Sequence, residues 1–308
     1  MESPLCLIVN PTAGNGRARA FLPRATSALT QAGAEHRVTE SASLGHAREL
    51  AADAAGRGDV IVAVGGDGMA GALAGVAAAC GARYGLIPVG RGNDLANVLG
   101  IPADPEGAAR VLAAGQARQV DLIAVSTPDH PEVIVAGSVY AGIPAVAGEI
   151  ANATRLLGGS LVYPVAALRA LARWRPARFT VRIDGPDGAT TSEYEGYAVV
   201  VANSPNFGAG MKVAPPAVID DGVLDLVLMR QGPKLTFVRA LMKIKDGSHV
   251  LLPQISLDRG SDVTITINRD MPAAADGEPL ACASPLAAGT PLRIRNLPGV
   301  LTVLVPGG

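Results

Sequence analysis

The stretch Asp59-Val-Ile-Val-Ala-Val-Gly-Gly-Asp-Gly68 decides the fold class of this chain. Its continuous apolar run is typical of a strand buried on both faces, as in a parallel sheet. The glycines end that strand, and the small residues from Met69 to Ala79 favour a helix directly after it. A buried strand that turns through glycines into a helix predicts one unit of an α/β domain.

Units of the same kind continue on both sides of this stretch. Apolar runs predict three more strands, at Leu5–Val9, Tyr84–Val89 and Val120–Val125, and the segment His36–Thr39 could be a further one. Segments of helical composition lie between them, at Ala18–Ala32, Gly45–Gly56 and Pro105–Ala114. Residues 1–125 are therefore predicted to form a Rossmann-like parallel α/β domain.

The pattern changes after residue 125, where apolar runs become frequent and helical signal becomes sparse. Strands are predicted at Val133–Val139, Phe179–Ile183, Tyr194–Val201, Leu224–Met229, Val263–Ile267, Pro291–Ile294 and Val300–Val305. Helices are predicted at Ile150–Leu157, Pro164–Arg173 and Leu235–Lys243. Turn sequences such as Asp184-Gly-Pro-Asp-Gly188 separate the strands. Residues 126–297 are therefore predicted to form a C-terminal β-sandwich domain.

Composition limits the function classes. The 308 residues include 26 Lys and Arg against 27 Asp and Glu, a balance that argues against nucleic-acid binding. Three cysteines and four histidines form no paired motif for zinc. The longest uncharged apolar stretch, Val133–Gly148, is too short for a membrane span, and no basic segment precedes Arg17 as in a signal peptide. We therefore expect a cytoplasmic protein.

Three glycine-rich loops follow predicted strands of the first domain, at Gly14–Gly16, Gly65–Gly68 and Gly90–Asp94. Glycines let backbone N–H groups approach an anion, and a helix N-terminus adds a favourable dipole. Each loop alone is equally well a tight turn, but ligands of open α/β sheets bind at the carboxyl ends of strands. Neither GxGxxG nor GxxxxGK[ST] is present, so the loops predict a phosphate site of a different kind.

Two acidic turns stand in the second half. Asp276-Gly-Glu278 offers two carboxylates, either of which could accept a proton from an attacking hydroxyl; the alternative is a solvent-facing β-turn. Asp220-Asp-Gly222 offers oxygen ligands to a hard cation, or forms a hairpin turn.

Taken together, six motifs in order resemble the bacterial diacylglycerol kinase-like lipid kinases, which are related to sphingosine kinases and NAD kinases. The motifs are Asn10-Pro-Thr-Ala-Gly14 (NPxxG), Gly65-Gly-Asp-Gly68 (GGDGT), Pro88–Ala96 (PxGTGNDxA), Asn203–Pro215 (N…GGG…AP), Asp220–Asp225 (DDGxLD) and Asp276-Gly-Glu278 (DGE). The resemblance covers almost the whole chain. It implies an α/β domain and a β-sandwich with ATP in the cleft between them, and a C-terminal strand, 298–308, that returns to the first domain.

The resemblance also implies the site residues of an ATP- and Mg²⁺-dependent lipid kinase. The catalytic residues would be Asp276 and Glu278, one of which is the general base, together with Asp67. ATP would contact Asn10, Pro11, Thr12, Ala13, Gly14, Thr39, Gly65, Gly66, Asp67, Gly68, Met69, Arg91, Asn93 and Asp94. The catalytic Mg²⁺ would be organised by Asp67 and Asp94, partly through water. A second, structural Mg²⁺ would be held by Asp221 and by the carbonyl groups of Val218 and Val223.

The sequence departs from the family pattern where Met69 and Arg91 replace threonines and Ala209 replaces a glycine. Met69 removes a hydrogen bond worth about 1 kcal/mol. Arg91 either replaces the lost phosphate contact or blocks the pocket. Two alternatives therefore stay open: a kinase of a soluble hydroxyl compound, and a nucleotide-binding module that has lost catalysis.

Two predicted helical segments combine basic and apolar residues, Pro164–Phe179 and Leu235–Lys245. Either could lie on an anionic membrane, which would bring the enzyme to a lipid substrate at the inner membrane face. The alternative is an ordinary helix packed on the β-rich domain with a solvated basic face. A homodimer is a further expectation.

Overall fold

The fold is described by a computed structural model for residues 3–14, 16–90, 92–153, 162–175, 177–185, 188–207, 210–280 and 285–307. Arg91 and Ala209, which carry two departures from the family pattern, lie outside these residues, as does the end of the predicted helix Ile150–Leu157. No described helix combines the length and the apolar character needed to cross a membrane.

The N-terminal half alternates strands with helices. Its elements are β1 (Leu5–Val9), α1 (Arg17–Gln31), β2 (His36–Glu40), α2 (Leu44–Gly56), β3 (Val60–Gly65), α3 (Asp67–Cys80), β4 (Arg83–Pro88), α4 (Asp94–Val98), α5 (Pro105–Ala114) and β5 (Gln116–Thr127). Strands β2, β1, β3 and β4 lie side by side in that order, and each neighbouring pair is parallel. Every residue of β1 and β3 is buried, as their continuous apolar runs predict.

Local signals explain where two of these helices begin. The Ser43 hydroxyl accepts a hydrogen bond from the N–H of His46 at the start of α2, 3.1 Å away. The Asp104 carboxylate accepts one from Gly107 N at 2.6 Å, and Pro105 occupies the first helical position of α5. The short helix α4 was not predicted from the sequence.

The C-terminal half is mainly antiparallel. Its elements are β6 (His130–Val135), β7 (Ser138–Gly142), α6 (Ile143–Ala153), α7 (Val162–Arg173), β8 (Ala177–Gly185), β9 (Gly188–Ala202), β10 (Asn206–Phe207), β11 (Met211–Lys212), β12 (Leu224–Arg230), α8 (Lys234–Lys243), the 3₁₀ turn η1 (Ser248–Leu251), β13 (Ile255–Gly260), β14 (Asp262–Ile267), β15 (Ala273–Ala275), β16 (Glu278–Pro279) and β17 (Leu292–Val305). Successive residues of β9 enter different hydrophobic clusters, because side chains alternate across a strand: Val199 and Val201 in one cluster, Val200 and Ala202 in another.

One long strand, β17, joins the two halves. Its first part pairs with β14, and its last part pairs in parallel with β4 through Thr302 and Val303. The whole strand also runs antiparallel to β5, with an irregularity between Leu297 and Leu301. The sequence predicted two separate strands here, because Pro298 and Gly299 at this irregularity are typical of a turn and interrupt the apolar pattern. The N-terminal α/β arrangement and the β-rich C-terminal half otherwise agree with the predicted fold class.

Two other element predictions were wrong in their bounds. The predicted strand Val133–Val139 is divided into β6 and β7 at Ala136 and Gly137, whose N–H groups point to a carboxylate instead of a neighbouring strand. Helix α6 begins at Ile143, seven residues before the predicted start. Pro144 does not prevent this early start, because it lies in the first turn of the helix, where proline is tolerated.

Candidate active site

The three glycine-rich loops meet at the carboxyl ends of β1, β3 and β4. A Cβ atom on Gly90 would lie 2.8 Å from the Cα of Gly66, and a Cβ on Gly14 would collide with the carbonyl oxygen of Val89. Gly14 also has a φ of +60°, a conformation that glycine adopts without strain. The backbones of the loops are therefore in direct contact, and the glycines make this approach possible.

Arg17 fastens the first loop to the third. Its Nη2 donates hydrogen bonds to the carbonyl oxygens of Val89 and Gly90, at 2.8 and 2.7 Å. Its guanidinium also lies over the Phe21 ring, 5.8 Å from the centroid. Arg17 is therefore a structural link between the two loops.

The first loop is shaped by Asn10. Its Oδ1 accepts hydrogen bonds from the N–H and the hydroxyl of Thr12, at 3.0 and 2.8 Å, and its own N–H donates to Val64 O. Ala13 is buried in this turn. Thr39 lies on the neighbouring strand β2, opposite Ile8, and is partly exposed. The predicted nucleotide contacts of residues 10–14 and 39 therefore share one edge of the sheet.

Asp67 clamps the second loop to the third. Its Oδ1 accepts the N–H of Asp94 at 2.6 Å, and its Oδ2 accepts the N–H of Asn93 at 3.0 Å. Asn93 has a φ of +53°, which turns the loop into α4, and its Nδ2 donates to Gly90 O at 3.2 Å. Among the described residues, the buried Oδ1 of Asn93 accepts no hydrogen bond. The sequence predicted a metal role for Asp67 and did not find this helix-terminus contact.

The buried side chain of Met69 packs against the second glycine loop. The residue is 5% exposed, and a Cβ on Gly65 would lie only 2.8 Å from the Met69 sulfur. This side chain therefore packs against the glycine backbone where the family has a threonine hydroxyl.

Asp276 is held by three consecutive backbone N–H groups. Its Oδ2 accepts from Ala136 at 3.0 Å, its Oδ1 accepts from Ser138 at 2.8 Å, and Gly137 donates to both oxygens at 3.1 and 3.2 Å. Loss of hydration raises the pKa of this carboxyl above its usual range; the three N–H groups lower it in part, and the nearby charge of Asp67 raises it further. We call this arrangement of residues 136–138 the amide nest.

Glu278 lies on the same turn but in a different environment. Its side chain is exposed, and within the described parts of the chain it forms no hydrogen bond or ion pair. A Cβ on Gly68 would lie 3.9 Å from the Glu278 Cγ, and a Cβ on Gly71 would lie 3.5 Å from the Asp276 Oδ2. Both acids therefore stand against the first turns of α3, beside the glycine loops. Of the two, Glu278 has the accessible carboxylate.

Asn203 supports the amide nest and was given no role by sequence reasoning. This asparagine is fully buried directly after β9. Its N–H donates to Gly137 O at 2.8 Å, and its Nδ2 donates to Ala136 O at 3.2 Å and to Asp121 O at 2.8 Å. Two sequence signals pointed to this residue: an amide at the end of an apolar strand, and its place as the first residue of the motif Asn203–Pro215.

The buried carboxylate of Asp121 ties β5 to two turns. It accepts the N–H groups of Gly222 and Gly299, at 2.8 and 2.7 Å, and the Nδ2 of Asn296 at 3.0 Å. Asn203 thus connects the amide nest to a second polar junction through the backbone of Asp121. Polar junctions of this kind fix the relative positions of their strands, because each buried group needs its partner.

The predicted second metal site lies at the turn before β12. The Asp221 carboxylate forms an ion pair with Arg259 and accepts the N–H of Val223 at 3.2 Å, and Val218 lies three residues before Asp221. Arg259 also pairs with the buried Asp225 at 3.2 Å, and burial raises the pKa of Asp225. Within the described residues, no three His, Cys, Asp or Glu side chains converge as a metal-binding group. Any cation here would have to compete with Arg259.

Two family models together match nearly the whole chain. Residues 4–125 match the diacylglycerol kinase catalytic domain, and residues 137–305 match the YegS C-terminal NAD kinase β-sandwich-like domain. A diacylglycerol kinase of Mycobacterium tuberculosis is 28% identical over 308 residues, covering 97% of this chain and 94% of the relative. A Xanthomonas campestris protein named "Probable lipid kinase YegS-like" is 31% identical, covering 68% of each chain.

Solved structures agree on the fold. The crystal structure of a diacylglycerol kinase from Bacillus anthracis matches 99% of this chain and 97% of its own, with a TM-score of 0.73 and 20% identity. The two domain matches together span nearly the whole chain, and the second alone spans more than half of it. The chain therefore belongs to the bacterial diacylglycerol kinase-like family of lipid kinases.

Proposed function

We propose that this protein transfers the terminal phosphoryl group of ATP, in a Mg²⁺-dependent reaction, to the hydroxyl of a diacylglycerol-like lipid, with Glu278 as the general base. The observation that carries the proposal is the accessible Glu278 carboxylate beside the glycine loops at the start of α3. The names of the relatives support the substrate class, since several are called diacylglycerol kinase.

The nucleotide side would be formed by the loops. Gly66 and Gly90 carry no side chain where the second and third loops touch. Helix α3 begins at Asp67, and its first hydrogen bonds run from the N–H groups of Met69 and Ala70 to Gly66 O. The N–H groups of Asp67 and Gly68 therefore have no acceptor within the helix. Such an N-terminus fits phosphate groups through its N–H donors and its dipole. Asn10 to Gly14, Thr39, Met69 and Asn93 would contact the rest of the nucleotide.

The catalytic Mg²⁺ fits this edge only with help from the nucleotide. Asp67 and Asp94 are the proposed ligands, directly or through water, and the buried Oδ1 of Asn93 is a further oxygen at the same loop. Mg²⁺ is usually held by one or two carboxylates together with phosphate oxygens and water. When bound, it would neutralise charge on the phosphates. Asp67 would in addition hold residues 93 and 94 in place, since its carboxylate accepts both of their N–H groups.

The two acids of the DGE turn would have separate tasks. Asp276 is engaged by the amide nest and would fix the turn, whereas Glu278 is unengaged and would accept the proton of the lipid hydroxyl as phosphoryl transfer proceeds. A carboxylate base needs only to be ionised and within hydrogen-bond reach of the hydroxyl. The acceptor would approach the DGE turn from the side of Gly277, where Tyr140, Ala145 and Pro279 lie nearby.

A structural Mg²⁺ at Asp221, with the carbonyl groups of Val218 and Val223, remains a secondary proposal. Arg259 already neutralises the Asp221 carboxylate, so binding would require this arginine to move. Mg²⁺ titration of an Arg259→Gln variant, followed by thermal unfolding, tests it: tighter stabilisation by the ion than in the wild type supports the site, and no effect in either protein contradicts it.

The experiment for the main proposal uses ATP labelled at its terminal phosphate, Mg²⁺ and purified protein. Dispersed diacylglycerol and a soluble polyol such as glycerol are offered in separate reactions. Label in an organic-phase product with diacylglycerol alone is the expected result. Label only in the aqueous acceptor would favour a kinase of soluble compounds. ATP binding by calorimetry without transfer to either acceptor would favour a nucleotide-binding module.

A further inference from the structure

The most exposed apolar side chains belong to one segment of the chain, residues 235–251. Among the described residues, Met242 is 77% exposed and Leu251 is 80% exposed, and Leu235 follows at 61%. The other exposed large apolar side chains of the described residues reach only 37 to 44%. All three lie on α8 or on η1, which pack together. Single exposed apolar residues are common, but three such residues within one short segment form a patch.

Packing within the protein does not explain these side chains. Helix α8 buries its opposite face, where Phe237 and Ala240 contact the core. The rings of Phe237 and Tyr197 pack edge to face, with centroids 5.4 Å apart. Leu235 and Met242 are seven residues apart and share the outer face, since seven residues make nearly two helical turns. Helix α8 therefore has apolar side chains on two faces, one that packs on the core and one that is exposed to solvent.

The same outer face is basic. Arg239 and Lys243 lie between and beside the two apolar residues at helical spacing, and Lys245 follows. All three are exposed, and residues 234–245 include no Asp or Glu. The nearest acid, Asp246, accepts hydrogen bonds from the N–H and the hydroxyl of Ser248. A strongly basic patch is thus present in a chain with a net charge of only -1.

The position of this surface relates it to the candidate active site. Helix α8 packs on α7, α7 packs on α6, and α6 contacts β16, where Glu278 stands. Lys234 reinforces the first of these contacts, because its Nζ donates to Ala172 O at the end of α7, 3.1 Å away. A helical layer therefore leads from the exposed patch to the DGE turn.

We propose that the outer face of α8 and η1, formed by Leu235, Arg239, Met242, Lys243, Lys245 and Leu251, docks the protein on an anionic phospholipid surface. Interspersed apolar tips and basic groups match the interfacial region of such a membrane, where apolar residues enter the acyl boundary and cations meet headgroups. A second copy of the chain fits less well, since a two-fold interface would place these cations against themselves. The inference rests on the proposed function in one respect: docking would help the enzyme reach its substrate only if that substrate is a membrane lipid. Membrane binding itself can be measured without catalysis.

Vesicle sedimentation of the full chain tests the docking surface. Vesicles of equal parts phosphatidylglycerol and phosphatidylcholine are compared with vesicles of phosphatidylcholine alone. We expect binding to the anionic vesicles only, and a loss of partitioning of about fivefold for each basic charge removed in Arg239→Gln and Lys243→Gln. Replacing Leu235, Met242 and Leu251 by Ser should abolish the binding that survives at high salt, where screening weakens the electrostatic part.

A matched control replaces exposed residues of the N-terminal half, with Val38→Ser and Leu44→Ser for the apolar set and Arg48→Gln for the charge. These variants should sediment as the wild type does. Wild-type sedimentation of the α8 variants, or equal binding of the wild type to neutral vesicles, would overturn the proposal. So would a dimer in solution that the α8 substitutions dissociate, because that result would assign the face to a second copy.

Activity assays separate this inference from the proposed function. With a short-chain diacylglycerol dispersed as monomers, the α8 variants should retain the wild-type rate, whereas with long-chain acceptors in anionic vesicles their rate should fall as their binding does. Vesicle binding without phosphoryl transfer to any lipid would contradict the proposed function and leave the docking surface intact. Phosphoryl transfer without vesicle binding would contradict the docking surface alone.

Discussion

Replacing Asn203 by Ala should impair both stability and turnover, because this side chain supports the amide nest. The substitution removes donors from two buried carbonyl groups, those of Asp121 and Ala136. A buried polar group left without its partner costs about 1 to 3 kcal/mol, so the free energy of unfolding should fall by about 2 to 6 kcal/mol. Because the nest also holds Asp276, displacement of the DGE turn should lower kcat, by about 10- to 100-fold if the shift approaches 1 Å. Urea unfolding and steady-state kinetics with ATP and diacylglycerol measure the two effects.

Asn296→Ala is the matched control. This asparagine is also buried and donates to Asp121, but to its carboxylate, which keeps the N–H groups of Gly222 and Gly299. We expect a stability loss of about 1 to 3 kcal/mol with kcat unchanged once the folded fraction is taken into account. A wild-type kcat in folded Asn203→Ala, or an equal loss in Asn296→Ala, would contradict the positioning role of Asn203.

Two further predictions concern other parts of the molecule. Gly90→Ala should raise the KM for ATP at least about tenfold, because the new Cβ would force apart two loops that leave no room for it. Gly56→Ala is the control, since its Cβ would meet open space, and its KM should be unchanged. Equal KM values for the two variants would refute the loop contact. Burial lowers the pKa of His249, so the neutral ring stabilises the fold above the unfolded pKa near 6.5 and this contribution is lost as the pH falls through the lower folded value. The free energy of unfolding of the wild type should therefore fall relative to that of His249→Gln between about pH 7 and pH 5. Urea unfolding at several pH values measures this difference, and parallel pH profiles of the two proteins would contradict it.

Local patterns in the sequence predicted the strands and the position of the site loops. The apolar run of β3 and the glycines after it are adjacent in the chain, so their periodicity and turn chemistry are visible without any long-range contact. The same holds for β1 and β4, whose ends bring the other two loops to the same edge. The family motifs added the DGE turn, but left its two carboxylates equivalent.

Contacts between distant residues could not be predicted in this way. Asp276 receives its hydrogen bonds from residues about 140 positions earlier, and Asn203 reaches Asp121 across 82 positions. These contacts decide that Asp276 is engaged and Glu278 is accessible. They also divide the predicted strand Val133–Val139, because backbone N–H groups that bind a carboxylate cannot pair with a strand. Arg17 likewise joins its loop to Gly90 across 73 positions, although its local sequence is typical of a solvated helix start.

The kcat of Glu278→Gln with ATP, Mg²⁺ and diacylglycerol tests the central claim most directly. The substitution keeps the size of an exposed side chain that has no partner among the described residues, so folding and the KM for ATP should be unchanged. Loss of the general base should lower kcat by about 10²- to 10⁴-fold. A folded Glu278→Gln variant that phosphorylates diacylglycerol at the wild-type rate would contradict the account.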